Sequence, residues 1–146
     1  MKKAQAAMEF LMTYGWAILV VLVAIAALAY FGVLNPGKFL PKSCTIGAGI
    51  ACTDFKVMAD GSATIIVRNG LGSNIESVSM TLGGVVATTD PATITDGNTA
   101  TYVWAAASLP IGTAGSKYKA DIVFTYTAEG STLSHSETGS LTTKYE

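Results

Sequence analysis

Two hydrophobic patterns divide this chain. Between Phe10 and Leu34 no residue is charged, and Leu, Val, Ile, Ala and aromatic side chains fill the run almost without a break. The run exceeds the roughly 20 residues that a helix needs to cross a bilayer, so residues 5–35 are predicted to form one hydrophobic helix. Gly15 and Gly32 interrupt the pattern, as bend points or as close-packing sites. Asn35-Pro36-Gly37 is the expected stop, since a proline disfavours helix at the residue before it and Gly37 suits a turn.

From Asp54 onward the period changes to that of strands. Phe55, Val57 and Ala59 alternate with Lys56, Met58 and Asp60, and Ala63, Ile65 and Val67 alternate with Thr64, Ile66 and Arg68. Val78, Met80 and Leu82 alternate with Ser77, Ser79 and Thr81. Val85 to Thr88 reads as a short strand stopped by Asp90-Pro91, and Ala100, Tyr102 and Trp104 mark another. Tyr118, Ala120, Ile122, Phe124 and Tyr126 give the clearest case, and a polar last strand is expected over residues 131–145. Alternation of this kind marks strands with one buried face, and about six to eight of them separated by turn residues suggest an antiparallel sandwich. The predicted fold class is therefore α+β: a long N-terminal hydrophobic helix followed by an antiparallel Ig-like β-sandwich over residues 54–146. Residues 36–53 read as a linker and a cysteine loop. Phe55, Tyr102, Trp104, Phe124 and Tyr126 are the expected buried aromatics.

Composition narrows the possibilities. At 146 residues there is room for one domain plus a hydrophobic segment. A net charge of -1 with only 13% charged residues leaves no basic surface for nucleic acid. Cys44 and Cys52 flank a Gly-rich loop, and with a single His the chain offers too few ligands for a zinc site. Their spacing is also too long for a redox Cys-x-x-Cys pair. In an oxidising compartment the natural reading is a disulfide, and closing so short a loop stabilises by about 2–3 kcal/mol on the chain-entropy model.

Candidate chemistry is sparse. His135 lies between Ser134 and Ser136 in the most polar strand, but strand neighbours point to opposite faces, so neither serine is placed for a Ser-His-Asp site. No G-x-S-x-G elbow, P-loop or H-E-x-x-H pattern occurs. Asp54, Asp60, Asp90 and Asp96 are turn acids without the close fixed spacing of a calcium loop. No Asn-x-Ser/Thr acceptor occurs. The expectation is a non-enzymatic protein with no cofactor and no metal.

The remaining signal lies at the N-terminus. Lys2 and Lys3 precede the apolar run, which keeps the N-terminus on the cytoplasmic side and places the β domain outside. A secretory signal would be cleaved after its apolar run at small residues; here Tyr30 to Pro36 is a poor site, whereas Ala4, Ala6 and Ala7 lie before the run. Glu9 is an acid at the lip of the run, four positions after Gln5. Lys2-Lys3-Ala4 before Gln5, Glu9, Phe10 and the uninterrupted helix together resemble the class III signal peptide of archaeal type IV pilins and related archaeal filament subunits. Ala4 stands where many members of that family have Gly. The motif covers about ten residues, and the layout of apolar helix then small β domain extends the likeness across the chain.

The resemblance implies a leader over residues 1–4, cut between Ala4 and Gln5 by a prepilin peptidase on the cytoplasmic side. It implies that Glu9, with Phe10 beside it, acts in assembly into a helical homopolymer on the cell surface, used for adhesion. It also implies an assembly ATPase and a membrane platform protein as partners. Three alternatives remain: an archaellin-like subunit of the rotary filament, a single-span anchored Ig-like module or minor pilin, and an anchored enzyme. A plain anchor has no use for Glu9 or for so short a leader.

Overall fold

The computed structural model describes residues 2–34, 39 and 41–146. The chain divides into two compact units, Met1–Phe39 and Leu40–Glu146. The first is dominated by α1, a single helix of 29 residues over Lys2–Tyr30. It begins earlier than the predicted residue 5, so the leader residues 2–4 are helical, and it also ends earlier than predicted. Gly32 adopts φ 71, the left-handed conformation that a side chain resists. The Val33 amide donates to the Leu28 carbonyl at 3.1 Å and the Gly32 amide to the Ala29 carbonyl at 3.0 Å. This is a Schellman cap, which satisfies the last helical carbonyls. The stop is therefore Gly32, three residues before Asn35; Asn35-Pro36-Gly37 lies outside the described residues.

The second unit contains, among the described residues, β1 (Ser43–Thr45), β2 (Ile50–Val57), β3 (Ala63–Asn69), β4 (Ile75–Leu82), β5 (Val85–Val86), β6 (Thr93–Ile94), β7 (Thr99–Trp104), β8 (Lys117–Ala128) and β9 (Ser134–Lys144). The larger sheet has the order β1-β9-β8-β4-β5, with β6 also paired to β4; the smaller is β2-β3-β7. All named pairings are antiparallel. The prediction of two antiparallel sheets behind a long apolar helix holds.

The register gives the sandwich two ends. Lys117 pairs with Lys144 at one end and Thr127 with Ser134 at the other. The chain enters at the Lys117 end, where Ser43 pairs with Thr142. That entry pole also carries the β2–β3 and β7–β8 loops, joined by hydrogen bonds from the Ala107 amide to the Asp60 carbonyl and from the Leu109 amide to the Gly61 carbonyl. The far pole carries the β3–β4, β6–β7 and β8–β9 turns.

Inward residues from both sheets form one core, in which Val57, Ile65, Val67, Met80, Leu82, Tyr102, Trp104, Ile122, Phe124 and Leu141 are fully buried. Tyr102 of the smaller sheet meets Phe124 of the larger edge to face, with ring centroids 6.1 Å apart. Trp104 donates its indole N–H to the Val85 carbonyl at 2.9 Å. The segment after β5 changes sheets, and an isolated bridge joins Thr89 to Val103. On the opposite flank a parallel bridge joins Val57 to Tyr145.

Two expectations need correction. The sandwich starts at Ser43 rather than at residue 54: the supposed linker and cysteine loop contributes β1 and the first residues of β2. Phe55 is only partly buried, because β2 is an edge strand and a bulge between Cys52 and Asp54 leaves the ring an open flank. Thr93–Ile94, to which the sequence pattern assigned no element, pairs with Ile75 and Glu76.

Candidate functional site

The sequence-predicted site residues Ala4, Gln5, Glu9 and Phe10 all lie on the first turns of α1, and all are exposed. Gln5 and Glu9 are one turn apart and share a face, with Thr13 one turn further on. The Thr13 hydroxyl donates to the Glu9 carbonyl at 2.9 Å, which satisfies that hydroxyl on the helix itself. Phe10 and Tyr14 stack at 4.9 Å on the adjoining face. The bond between Ala4 and Gln5 is inside the helix, so a peptidase that takes an extended substrate must first unwind about one turn. Lys2 and Lys3 oppose the positive end of the helix dipole, and the first turn carries no acid to offset them. That end is therefore the easiest part of the helix to open.

Dimensions place Glu9 more sharply. At about 1.5 Å per residue, Phe10 to Tyr30 spans about 30 Å, the thickness of a bilayer's hydrocarbon core. Tyr30 and Phe31 form an exposed aromatic pair at one end of this stretch, their rings 5.6 Å apart. Tyr14 and Trp16 are exposed near the other. Tyr14 and Trp16 thus lie inside the charge-free stretch near its N-terminal end, Tyr30 and Phe31 lie at its other end, and Glu9 directly precedes it. No residue of α1 is buried within the chain. A helix that is apolar on all sides needs lipid or other protein around it. Gly15 has nothing within 4 Å of where a side chain would start, so the chain itself imposes no demand for glycine there. One helix long and apolar enough to cross a membrane is present among the described residues.

Cys44 and Cys52 form the expected disulfide. Its position is more informative than its presence: β1 is an edge of the larger sheet and β2 an edge of the smaller. The bridge thus fastens the two layers together beside the point where the chain enters. Lys42 reinforces that point, with its ammonium 2.6 Å from Glu146, whose other oxygen is 3.4 Å from Lys56. Hydrogen bonds from both lysines hold the Glu146 carboxyl below the usual carboxylate range.

Elsewhere the β domain offers little for catalysis. A shallow hollow of about 250 Å³ on the smaller sheet is lined by Asp54, Phe55, Lys56, Thr64 and Ile66. It pairs no nucleophile with a base. His135 is exposed and stacks on Tyr126, ring centroids 5.3 Å apart. Among the described residues no three His, Cys, Asp or Glu side chains are grouped to hold a metal ion.

Two polar features escaped the sequence reading. Asn69, at the end of β3, is fully buried and organises the far pole. Its side-chain amide donates to Ser73 and Ile94 carbonyls at 2.8 and 3.1 Å and accepts from the Leu71 amide at 3.0 Å. Asp90, read as a strand stop, is partly buried and sits near the phenol of Tyr102. An Asn or Asp immediately before Gly or Pro carries the same local signal whether it is exposed or buried, so nothing in the sequence separated the two cases.

No protein-family model matches this chain, and no curated protein matches it.

Proposed function

We propose that this chain is a structural subunit of an archaeal type IV pilus-like surface filament, polymerising through α1 and serving in adhesion. One observation carries the reading: a charge-free helix of about 30 Å, apolar on every side and unburied within its own chain, that begins directly after a single carboxylate, Glu9. In the precursor, lipid covers that surface and Glu9 stays at the headgroups, where a charge costs little compared with the bilayer centre. Removal of residues 1–4 leaves Gln5 as a new amine and Glu9 one turn along. The Gln5 amine of one subunit then pairs with the Glu9 carboxylate of its neighbour as the helix leaves lipid for a bundle of its own copies. Each Leu or Val side chain so covered contributes about 1.5–3 kcal/mol. The contact is heterologous, and its repetition gives an open helical polymer rather than a ring. A prepilin peptidase, an assembly ATPase and a membrane platform protein are the partners this route requires. The β domain then faces outward.

A second reading, a permanent single-span anchor for the β domain, draws on the match between helix length and bilayer thickness. Mass spectrometry of the mature N-terminus, with electron microscopy of the cell surface, separates the two. The filament reading expects chains starting at Gln5 and visible filaments. Chains retaining Lys2 and Lys3, with no filaments, would leave the anchor.

A further inference from the structure

We infer that the β domains of successive subunits meet pole to pole, the entry pole of one copy seated on the far pole of another. The inference rests on the filament reading, to which it adds an interface formed by a different part of the molecule.

The charges of the β domain are sorted by pole. Lys117 and Lys119 project from exposed positions at the start of β8, and Lys144 lies across from Lys117. Lys42 and Lys56 join them at the same end, both paired with Glu146, and the other acids there are Asp60 and Asp121, the latter two residues on from Lys119 on the exposed face of β8. At the far pole the acids prevail. Glu76 pairs in register with Thr127 beside the β8–β9 turn, Glu129 lies in that turn, and Asp96 lies in the neighbouring β6–β7 turn. Glu129 accepts from the Asn74 side chain at 2.6 Å and Asp96 from the Gly72 amide at 3.0 Å, neutral donors that leave both charges uncancelled. Arg68, whose Nε donates to the Gly97 carbonyl at 3.0 Å, keeps its positive charge there and offsets one of these three acids, so the far pole stays net negative. Basic and acidic surfaces on opposite ends of one rigid domain cannot neutralise each other internally. Two copies in head-to-tail order can do so.

Apolar exposure follows the same division. Ile111 is 71% exposed in the β7–β8 loop at the entry pole, and Leu133 is 70% exposed beside the β8–β9 turn at the far pole. The loop bearing Ile111 is held in place. Tyr145 donates its hydroxyl to the Pro110 carbonyl at 2.9 Å, and the Gly112 amide donates to the Ala59 carbonyl at 3.1 Å. An aliphatic side chain on a fixed loop, at a pole where basic side chains outnumber acidic ones, can serve as an interface centre within a polar rim. Each pole supplies one exposed aliphatic side chain, and the net charges of the two poles are opposite in sign. Because the two surfaces differ, the contact cannot close as a two-fold dimer; it propagates in one direction. β8 runs the length of the domain, so its 12 residues set a spacing of about 36 Å between stacked copies.

The test uses filaments of the full chain carrying Ile111→Cys and Leu133→Cys together, treated with a short bis-maleimide and run on a denaturing gel. A ladder reaching trimers and beyond is expected, because each copy links to two neighbours, while either single variant stays monomeric. Exposed positions were chosen so that folding is retained; the native disulfide, assayed by mass, verifies it. Lys117→Glu with Lys119→Glu should shorten filaments at least twofold, and adding Glu76→Lys with Glu129→Lys should restore their length. Double-cysteine filaments that yield only monomer overturn the inference, as do single variants that yield dimers, which would mean that like poles meet. Absence of filaments from the unaltered chain overturns the filament reading itself.

Discussion

The carboxylate of Asp90 lies close enough to the phenol of Tyr102 to help push up that group's pKa, behind the larger effect of the ring's own burial. Asp90 Oδ1 and the Tyr102 hydroxyl are both buried without a hydrogen-bond partner among the described residues. Desolvation raises the Asp90 pKa, although contacts with the Ser79 hydroxyl and the Met80 amide pull it back. The folded protein therefore takes up this proton more readily than the unfolded chain. Above the folded pKa both states are ionised and the native state bears the whole desolvation cost; below the unfolded pKa both are protonated and the cost is gone. The contribution of this residue to stability should accordingly improve as pH falls. Asp90→Asn should raise the melting temperature at pH 7, and its advantage over the unaltered protein should shrink toward pH 3. Calorimetric scans across that range measure the difference, and a constant advantage would remove Asp90 as its source.

Asn69 should be among the costliest single positions in the β domain. Replacement by Ala leaves the buried Ile94 carbonyl without its donor, at about 1–3 kcal/mol, and also removes the part-buried bond to the Ser73 carbonyl. Asn69→Asp should do no better at neutral pH, because a carboxylate cannot donate to either carbonyl. Urea unfolding of the three proteins gives the comparison. A loss below about 1 kcal/mol for Ala would show that the turn reorganises.

Opening the Cys44–Cys52 bridge should destabilise by about 2–3 kcal/mol on the chain-entropy model. The loss should also be local at first. β1 has three residues and pairs only with Ser140–Thr142 of β9, so its amides should exchange with solvent well before those of β8 once the bridge is reduced. Hydrogen exchange with and without reductant provides the readout.

Glu9→Ala should insert in the membrane as well as the unaltered precursor, because it removes a charge from the edge of an apolar helix. On the proposed filament reading, polymerisation should nevertheless fail or fall at least tenfold, since the group proposed to pair with a neighbour's Gln5 amine is gone. Membrane fractionation and filament yield measure the two steps separately. Full filament yield from this variant would take Glu9 out of assembly while leaving the helix bundle in place.

The parts of this fold that could be read in advance share a physical cause. In β3, β7 and β8 one face is closed by the other sheet, so Ile65, Tyr102 and Ile122 are each flanked by residues on the opposite, more open face, and the alternation shows. β1 and β6 are too short to display any period, and their existence depends on partners far along the chain, Leu141 and Ile75. Phe55 alternates correctly and still keeps an open flank, because burial at an edge strand depends on neighbours that periodicity does not record. At the helix the opposite lesson applies. Val33 and Leu34 are as apolar as the residues before them, and only the backbone requirement met by Gly32 ends α1. Glu9 stood out as an acid beside an apolar run. The sorting of charge between the poles was hidden, since Lys117 and Lys144 come together only through the β8–β9 register.

The disulfide's position bears on how the molecule carries load. Any pull transmitted along the chain into Ser43 reaches the β domain first at β1, which alone would peel away three residues at a time. Cys44 diverts that tension after a single residue, across the covalent bridge into β2 and thence into both sheets at once. A three-residue edge strand is thereby taken out of the path of force, and the domain resists traction as one body.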